Sequence, residues 1–203
     1  MPPGRSRRTS PVSSEFGLIR LLEAQTRHPD RQVYKGIGDD TAILKTSSTE
    51  WTLITTDLLA EAVHFDPATS SFEDIGYRAA IANLSDIAAM GGTPRFMLVA
   101  IAIPPTCSTA QIQRLYRGMM EAAAPYQVSL VGGDTSASKQ GLFLSITLTG
   151  VVQPSQALLR SGARVGDRLY VTGTLGDSQA GLDLLRSRRR PALRPAHARF
   201  LLA

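Results

Sequence analysis

The sequence holds a single cysteine, Cys107, among 203 residues. It therefore has neither an internal disulfide framework nor a multi-cysteine zinc site, and its cysteine usage fits a reducing compartment such as the cytoplasm. No run approaches the ~20 continuous apolar residues that span a bilayer, so no membrane partner is expected. Acidic residues are missing from both ends. Residues 1–10 carry Arg5, Arg7 and Arg8, and residues 186–203 carry six more arginines, with no Asp or Glu in either stretch. Without those nine, 13 basic residues face 17 acidic ones, so the basic balance belongs to the ends and the rest of the chain is acidic. Aromatic residues do not interleave the arginines and no recognition motif follows them, so nucleic acid is not the expected partner. Residues 1–10 also lack an apolar core of the kind a secretory signal needs.

Apolar residues make up 43% of the sequence, enough for a sizeable core. The expected organisation is a basic tail over 1–13, an α/β domain over 14–153, and the beginning of a second α/β domain over 154–203. Ser14 is placed to cap a helix over Glu15–Arg27, with Phe16, Ile19 and Leu22 on one stripe and a stop at His28-Pro29-Asp30. Strands are expected at Gln32–Tyr34, Thr41–Lys45, Trp51–Thr56, Arg95–Ile103, Gln127–Val131 and Leu142–Val152. Ser71-Phe72-Glu73-Asp74 reads as a capping box opening a helix to about Met90, ended by Gly91-Gly92. Thr109 caps a second helix to about Ala124. Beyond Val152 the glycine-punctuated stretch 160–181 holds a strand expected at Arg168–Thr172 and a helix from about Ser178.

The acidic residues are concentrated where chemistry is presented. Asp39-Asp40 follows Gly36-Ile37-Gly38, and Asp57 follows Thr55-Thr56 at the expected end of a strand. Asp86 sits in a helix of small and apolar residues, and Asp134 follows Gly132-Gly133. Loops at strand ends are where rigid scaffolds display functional groups. An Asp at the end of an apolar strand is costly without a positive partner, and no Lys or Arg occurs between Thr46 and Tyr77. A hard divalent cation such as Mg²⁺ meets that need, since it takes carboxylate and hydroxyl oxygens and shares itself with phosphates. The glycines bring backbone N–H groups close to a phosphate, but neither cluster is a Walker A loop. Such a site transfers phosphoryl groups by positioning and charge neutralisation. Each motif also has a plain structural reading: Gly-Asp-Asp as a turn, Gly-Gly-Asp-Thr as a hairpin turn with an Asx cap, Asp86 as a helix aspartate satisfied by Asn83 or a backbone amide. Cys107 has no adjacent base and is not expected to be a nucleophile. His64, Tyr116 and Arg160 carry both readings, structural or ligand-facing.

As a set these strings resemble one family. Gly36-Ile37-Gly38-Asp39-Asp40-Thr41-Ala42, Thr55-Thr56-Asp57, Val63-His64-Phe65, Asn83-Leu84-Ser85-Asp86-Ile87-Ala88-Ala89-Met90-Gly91 and Gly132-Gly133-Asp134-Thr135 stand in its order and spacing. Leu159-Arg160-Ser161-Gly162-Ala163 and Tyr170–Ser178 continue the match. The sequence is similar to the thiamine-monophosphate kinases of the aminoimidazole-ribonucleotide-synthetase superfamily over about residues 14–186. The resemblance implies an α/β (α+β) fold, with an N-terminal mixed sheet carrying helices on one face and dimerising sheet to sheet. It implies transfer of the ATP γ-phosphoryl to thiamine monophosphate without a covalent enzyme intermediate. It assigns several Mg²⁺ ions to Asp40, Thr55, Thr56, Asp57, Asp86 and Asp134, with Asp39 adjacent. It assigns nucleotide contacts to Tyr116, Gly133, Asp134 and Arg160, and a substrate contact to His64. Members of the family continue for roughly another third of their length. The alternatives are another ATP-dependent synthase of the superfamily, a non-catalytic nucleotide-binding dimerisation module, and nucleic-acid binding through the arginine-rich ends.

Overall fold

Alternating burial along the longest strands shows how the domain is layered. In β6 (Phe143–Val152) every second residue is buried, with Leu144, Ile146, Leu148 and Val152 facing in and Ser145, Thr147 and Thr149 facing out. This is the period-two signature of a sheet covered on one face. The computed structural model describes residues 14–26 and 30–186. The arginine-rich ends and the helix stop assigned to His28-Pro29 lie outside the described residues.

The remaining strands are β1 (Val33–Lys35), β2 (Ala42–Leu44), β3 (Trp51–Ala60), β4 (Thr93–Ile103) and β5 (Ser129–Ala137). They form one mixed six-stranded sheet in the order β1-β2-β3-β6-β4-β5. β4 and β5 run parallel, and the other neighbours are antiparallel. The parallel pair requires a crossover connection, which α3 (Thr109–Ala123) supplies between β4 and β5. β3 and β6 pair continuously from Trp51↔Val152 to Ala60↔Phe143.

α2 (Phe72–Ala89) lies across the inner face and buries Ile75, Ala79, Ala80, Leu84 and Ile87 against Leu53, Met97, Val99, Ile146 and Leu148. α3 packs on α2 and adds Leu115, Met119, Ala122 and Ala123. The two helices touch through glycines. A Cβ on Gly76 would stand 1.9 Å from the Leu115 carbonyl oxygen, and one on Gly118 would stand 1.9 Å from that of Glu73. Arg114 and Arg117 reach across the same seam to Glu73. The helix starts are set by their caps. Ser71 Oγ accepts from Asp74 N–H and donates to the Asp74 carboxylate. At α3 the cap is Ser108 in a full capping box with Gln111, one residue before the Thr109 expected from sequence.

The opposite sheet face carries no helix among the described residues. Leu58, Phe96, Leu98 and Phe143 are exposed on it, with Phe96 at 51%. α1 (Glu15–Thr26) starts at Ser14 as expected, since Ser14 Oγ accepts from Gly17 N–H, but it buries none of its residues. The Phe16–Ile19–Leu22 stripe therefore does not join the core.

After β6 a short turn over Pro154–Gln156 leads to Leu158, whose N–H donates to Met90 O. The expected strand at Arg168–Thr172 does not form. No described strand lies beside it, and an unpaired extended segment has no ladder to satisfy its backbone. Leu169, Tyr170 and Val171 are exposed there. α4 (Asp177–Arg186) follows within a residue of the expected start.

Candidate functional site

Pairing decides which residues share a face. β3 does not end at Thr56, because residues 57–60 pair with β6 down to Phe143. Asp57 is thus inside a strand. Thr55 and Asp57 point to the helix-covered face, and Thr56 points to the other. The Thr56 hydroxyl donates to Ile146 O on the open face and also meets Thr147. Of the Thr-Thr-Asp run, only Thr55 and Asp57 have side chains on the inner face.

There they meet α2. Thr55, 6% exposed, donates its hydroxyl to Asp86 Oδ2 at 2.6 Å. Burial pushes the Asp86 carboxyl above the usual carboxylate range. The Thr55 hydrogen bond opposes the shift, the negative charges of Asp57 and Asp40 add to it, and Arg160 opposes it. Asp40, Asp57 and Asp86 are therefore electrostatic neighbours drawn from a loop, a strand and a helix.

The Gly-Ile-Gly-Asp-Asp loop closes the cluster from the β2 side. Gly38 has φ +107°, a left-handed conformation that favours glycine. The Asp39 side chain is 1% exposed. It pairs with Lys35 at 3.7 Å and accepts from the Arg160 N–H at 3.2 Å. The Arg160 guanidinium forms an ion pair with Asp40. Arg160 therefore joins the acidic loop, linking the segment after β6 to it.

Asp134 lies elsewhere. The Gly-Gly-Asp-Thr run is not a turn after a strand but the middle of β5, the sheet's edge strand. A Cβ on Gly133 would fall 1.8 Å from Val99 O, so glycine is needed for β5 to approach β4 this closely. The register places Asp57, Ile146, Val99 and Gly133 on one row across the sheet. Three strand spacings of ~4.8 Å put Gly133 roughly 14 Å from Asp57. Asp134 pairs with Ala100 and is exposed. Among the described residues, no three His, Cys, Asp or Glu side chains stand close enough to hold one metal ion.

His64 sits in the turn after β3, where Ala62 takes φ +64°. Its Nδ1 accepts from Ala60 N–H at 3.0 Å, which assigns the ring proton of the neutral form to Nε2. The Arg78 guanidinium donates to His64 O at 2.7 Å. A cavity of about 460 Å³ opens here, lined by His64, Asp66, Asp74, Arg78, Gln179 and Leu182 among others. Arg78 and Lys35 were missed from sequence. The available signal was that Arg78 is the first basic residue after the long cation-free stretch. Tyr116 is half-buried on α3 beside the core, where burial raises its phenol pKa, and no polar contact joins it to the acidic cluster. Burial, helped by Glu61, pushes the Cys107 thiol up and keeps it protonated.

Residues 38–152 match the family described as AIR synthase related protein, N-terminal domain. The chain belongs to that family. Within it, the chain is 42% identical to the thiamine-monophosphate kinase of Bacillus subtilis over 177 residues, covering 87% of this chain and 54% of that one. It is 37% identical to the thiamine-monophosphate kinase of Escherichia coli, covering 88% of this chain and 54% of that one. Among solved structures, AaThiL complexed with AMPPCP and TMP superposes with a TM-score of 0.80 at 35% identity, over 92% of this chain and 57% of that one. The thiamine monophosphate kinase of Aquifex aeolicus gives 0.73 at 31% identity, over 91% and 58%. The chain spans about half the length of the curated relatives it matches. The mixed α/β fold expected from sequence, with helices on one sheet face, is the fold of these neighbours.

Proposed function

We propose that this chain carries the ATP- and Mg²⁺-binding half of a thiamine-monophosphate kinase. The observation that carries the reading is the neighbourhood of Asp40, Asp57 and Asp86 around the Thr55–Asp86 hydrogen bond. Its support from relatives is the kinase name they share and the neighbour complexed with AMPPCP and TMP. The donor chemistry suits Mg²⁺, because every group is a hard oxygen, and the negative charges of Asp40, Asp57 and Asp86 act on one another with the Arg160 guanidinium against them. No three of these carboxylates stand close enough to share one ion, so Asp40, Asp57, Asp86 and Thr55 would serve separate Mg²⁺ ions completed by water and phosphate oxygens, Thr56 would contribute only through its backbone, and Asp134 would serve another ion at β5. Bound Mg²⁺ would neutralise phosphate charge during transfer.

The protein's own groups then bind and orient. Arg160 exchanges its Asp40 contact for a nucleotide phosphate, and the close approach of β5 at Gly133 presents backbone to the nucleotide, with Tyr116 flanking it. The cavity at His64 is of a size for a small molecule and takes thiamine monophosphate, with His64 Nε2–H as donor and Arg78 as cation. An oxygen of the substrate's phosphate forms a bond to the ATP γ-phosphorus as the bond to the departing ADP oxygen breaks, yielding thiamine diphosphate and ADP. Cys107, its thiol pushed up by burial, is not a nucleophile in this transfer, which passes directly from ATP to the substrate phosphate. The open sheet face is the homodimer surface, residues 14–153 form the N-terminal domain, and the cytoplasm is its compartment. No helix among the described residues is long and apolar enough to cross a membrane.

A second reading, a nucleotide-binding dimerisation module without turnover, is favoured by the exposed Val165, Leu169, Tyr170 and Leu175. Phosphorus NMR with ATP, Mg²⁺ and thiamine monophosphate separates the two. Thiamine diphosphate appearing with the wild-type chain and not with Asp57→Asn establishes the kinase. Nucleotide binding without product establishes the module.

A further inference from the structure

The turn that carries His64 is held in a strained form. Ala62 is one of two non-glycine residues with positive φ among the described residues, and such strain persists where the surroundings fix it. Inside the turn, Val63 and His64 N–H donate to Ala60 O at 3.2 and 2.9 Å, and Ala62 N–H donates to Phe65 O at 2.8 Å. Phe65 is buried. The imidazole belongs to the same turn, because Ala60 N–H donates to its Nδ1 at 3.0 Å. α2 fastens the turn through Arg78, whose Nη1 donates to His64 O at 2.7 Å. Arg78 has acidic neighbours it does not use. Asp74 stands four residues before it on α2, the spacing at which helix side chains meet, and Asp66 lines the same cavity. Yet the Asp74 carboxylate takes the Ser71 hydroxyl, Asp66 accepts from Ala68 N–H, and Arg78 forms no ion pair among the described residues.

A guanidinium makes strong charge-assisted hydrogen bonds and carries five N–H donors in a fixed fork. It can hold a carbonyl in place and still present charge to the cavity it lines. We infer that Arg78 is the positioning residue for His64: by fastening the His64 carbonyl to α2 it keeps the turn in which Nδ1 is occupied, so that the neutral ring offers the substrate Nε2–H alone. This rests on the reading of the cavity as the thiamine-monophosphate site. A ring free to change tautomer would divide itself between donor and acceptor, and the substrate would have to order it on binding.

Arg78 is exposed, so its variants are expected to fold and to melt near wild type. Arg78→Met keeps an aliphatic stem without donors or charge, and Arg78→Lys keeps a cationic donor. The test reads the His64 ring nitrogens by nitrogen-15 NMR of the neutral imidazole, assigned with His64→Ala, and thiamine monophosphate binding by calorimetry. Wild type should show one tautomer with Nδ1 bare, and Arg78→Met a mixture of two. Arg78→Met should weaken binding about tenfold, and Arg78→Lys should stay within about threefold of wild type. In a His64→Ala background, Arg78→Met should change binding by less than about threefold, because the two residues act as a unit. An unchanged His64 ring in Arg78→Met, or a changed ring with unchanged affinity, overturns the inference. Equal loss of affinity with and without His64 means that Arg78 meets the substrate directly, which overturns the inference and leaves the cavity reading standing. Wild type failing to bind thiamine monophosphate overturns both. Arg78→Met and Arg78→Lys both melting well below wild type shows a packing role and overturns the inference.

Discussion

Thr55 and Thr56 differ by one position and therefore by one face of the sheet. Sequence treats them as an equivalent pair of hydroxyls beside Asp57, but a strand that continues past them sends one to α2 and the other to β6. Thr55 spends its hydroxyl on Asp86, whose carboxyl burial holds above its ordinary pKa. A carboxyl raised in the folded state stabilises the fold below its unfolded pKa and loses that contribution as pH rises through the folded value. The cation-free protein therefore weakens as Asp86 ionises, and Asp86→Asn is expected to remove that part of the pH dependence. Melting curves at acidic and mildly alkaline pH check it: the variant should gain on wild type as pH rises. A constant difference would show that Asp86 is not the group responsible. On the metal role proposed for Asp86, function and stability would oppose each other at this residue.

At the scale of elements, the α2–α3 seam is the least forgiving part of the fold. Gly76 and Gly118 bring each helix against the other's backbone, and backbone does not yield as a side-chain tip does. Gly118→Ala is expected to cost about 1–3 kcal/mol despite alanine's better helix propensity, read as a lower urea midpoint at an unchanged slope. Wild-type stability would mean the helices can part without loss. Most elements were legible in the sequence because period, caps and breakers are local. The β-branched run at 51–56, the capping serine at 71 and the Gly91-Gly92 stop all fall where their chemistry places them. What was not legible depended on partners distant in sequence. β3 runs to Ala60 because β6 pairs with it there. Gly-Gly-Asp-Thr, a turn signal by composition, becomes strand because β4 offers it a ladder. Arg168–Thr172 has strand composition and no strand beside it, and α1 has an apolar stripe that the core does not take up. Among the site residues, acid placement pointed to Asp40, Asp57, Asp86 and Asp134 as one set, of which the first three act on one another electrostatically, while the counter-charges of the acidic loop, Arg160 and Lys35, were not legible as its partners. The separation of Asp134 required the strand order.

On the scale of the whole molecule, the sheet has one finished face and one open face. Leu58, Phe96, Leu98 and Phe143 give the open face an apolar stripe that a monomer would leave in water. If two copies join through it, Phe96→Asp should convert a sedimenting dimer to a monomer without changing the far-ultraviolet spectrum. A dimer that persists would move the contact elsewhere. Arg160 connects this scale to the first. Its guanidinium rests on Asp40, and its own N–H on Asp39, at the point where the chain beyond β6 is fastened. Under the proposed Mg²⁺ role of Asp40, a cation there would displace this tether, so Arg160 would compete with it for the carboxylate. On that reading the coupling would be reciprocal: loosening the downstream segment would raise cation affinity, and a bound cation would loosen that segment by the same free energy. Arg160 is thus a built-in counter-ion of the acidic loop, which the proposed cation would have to release.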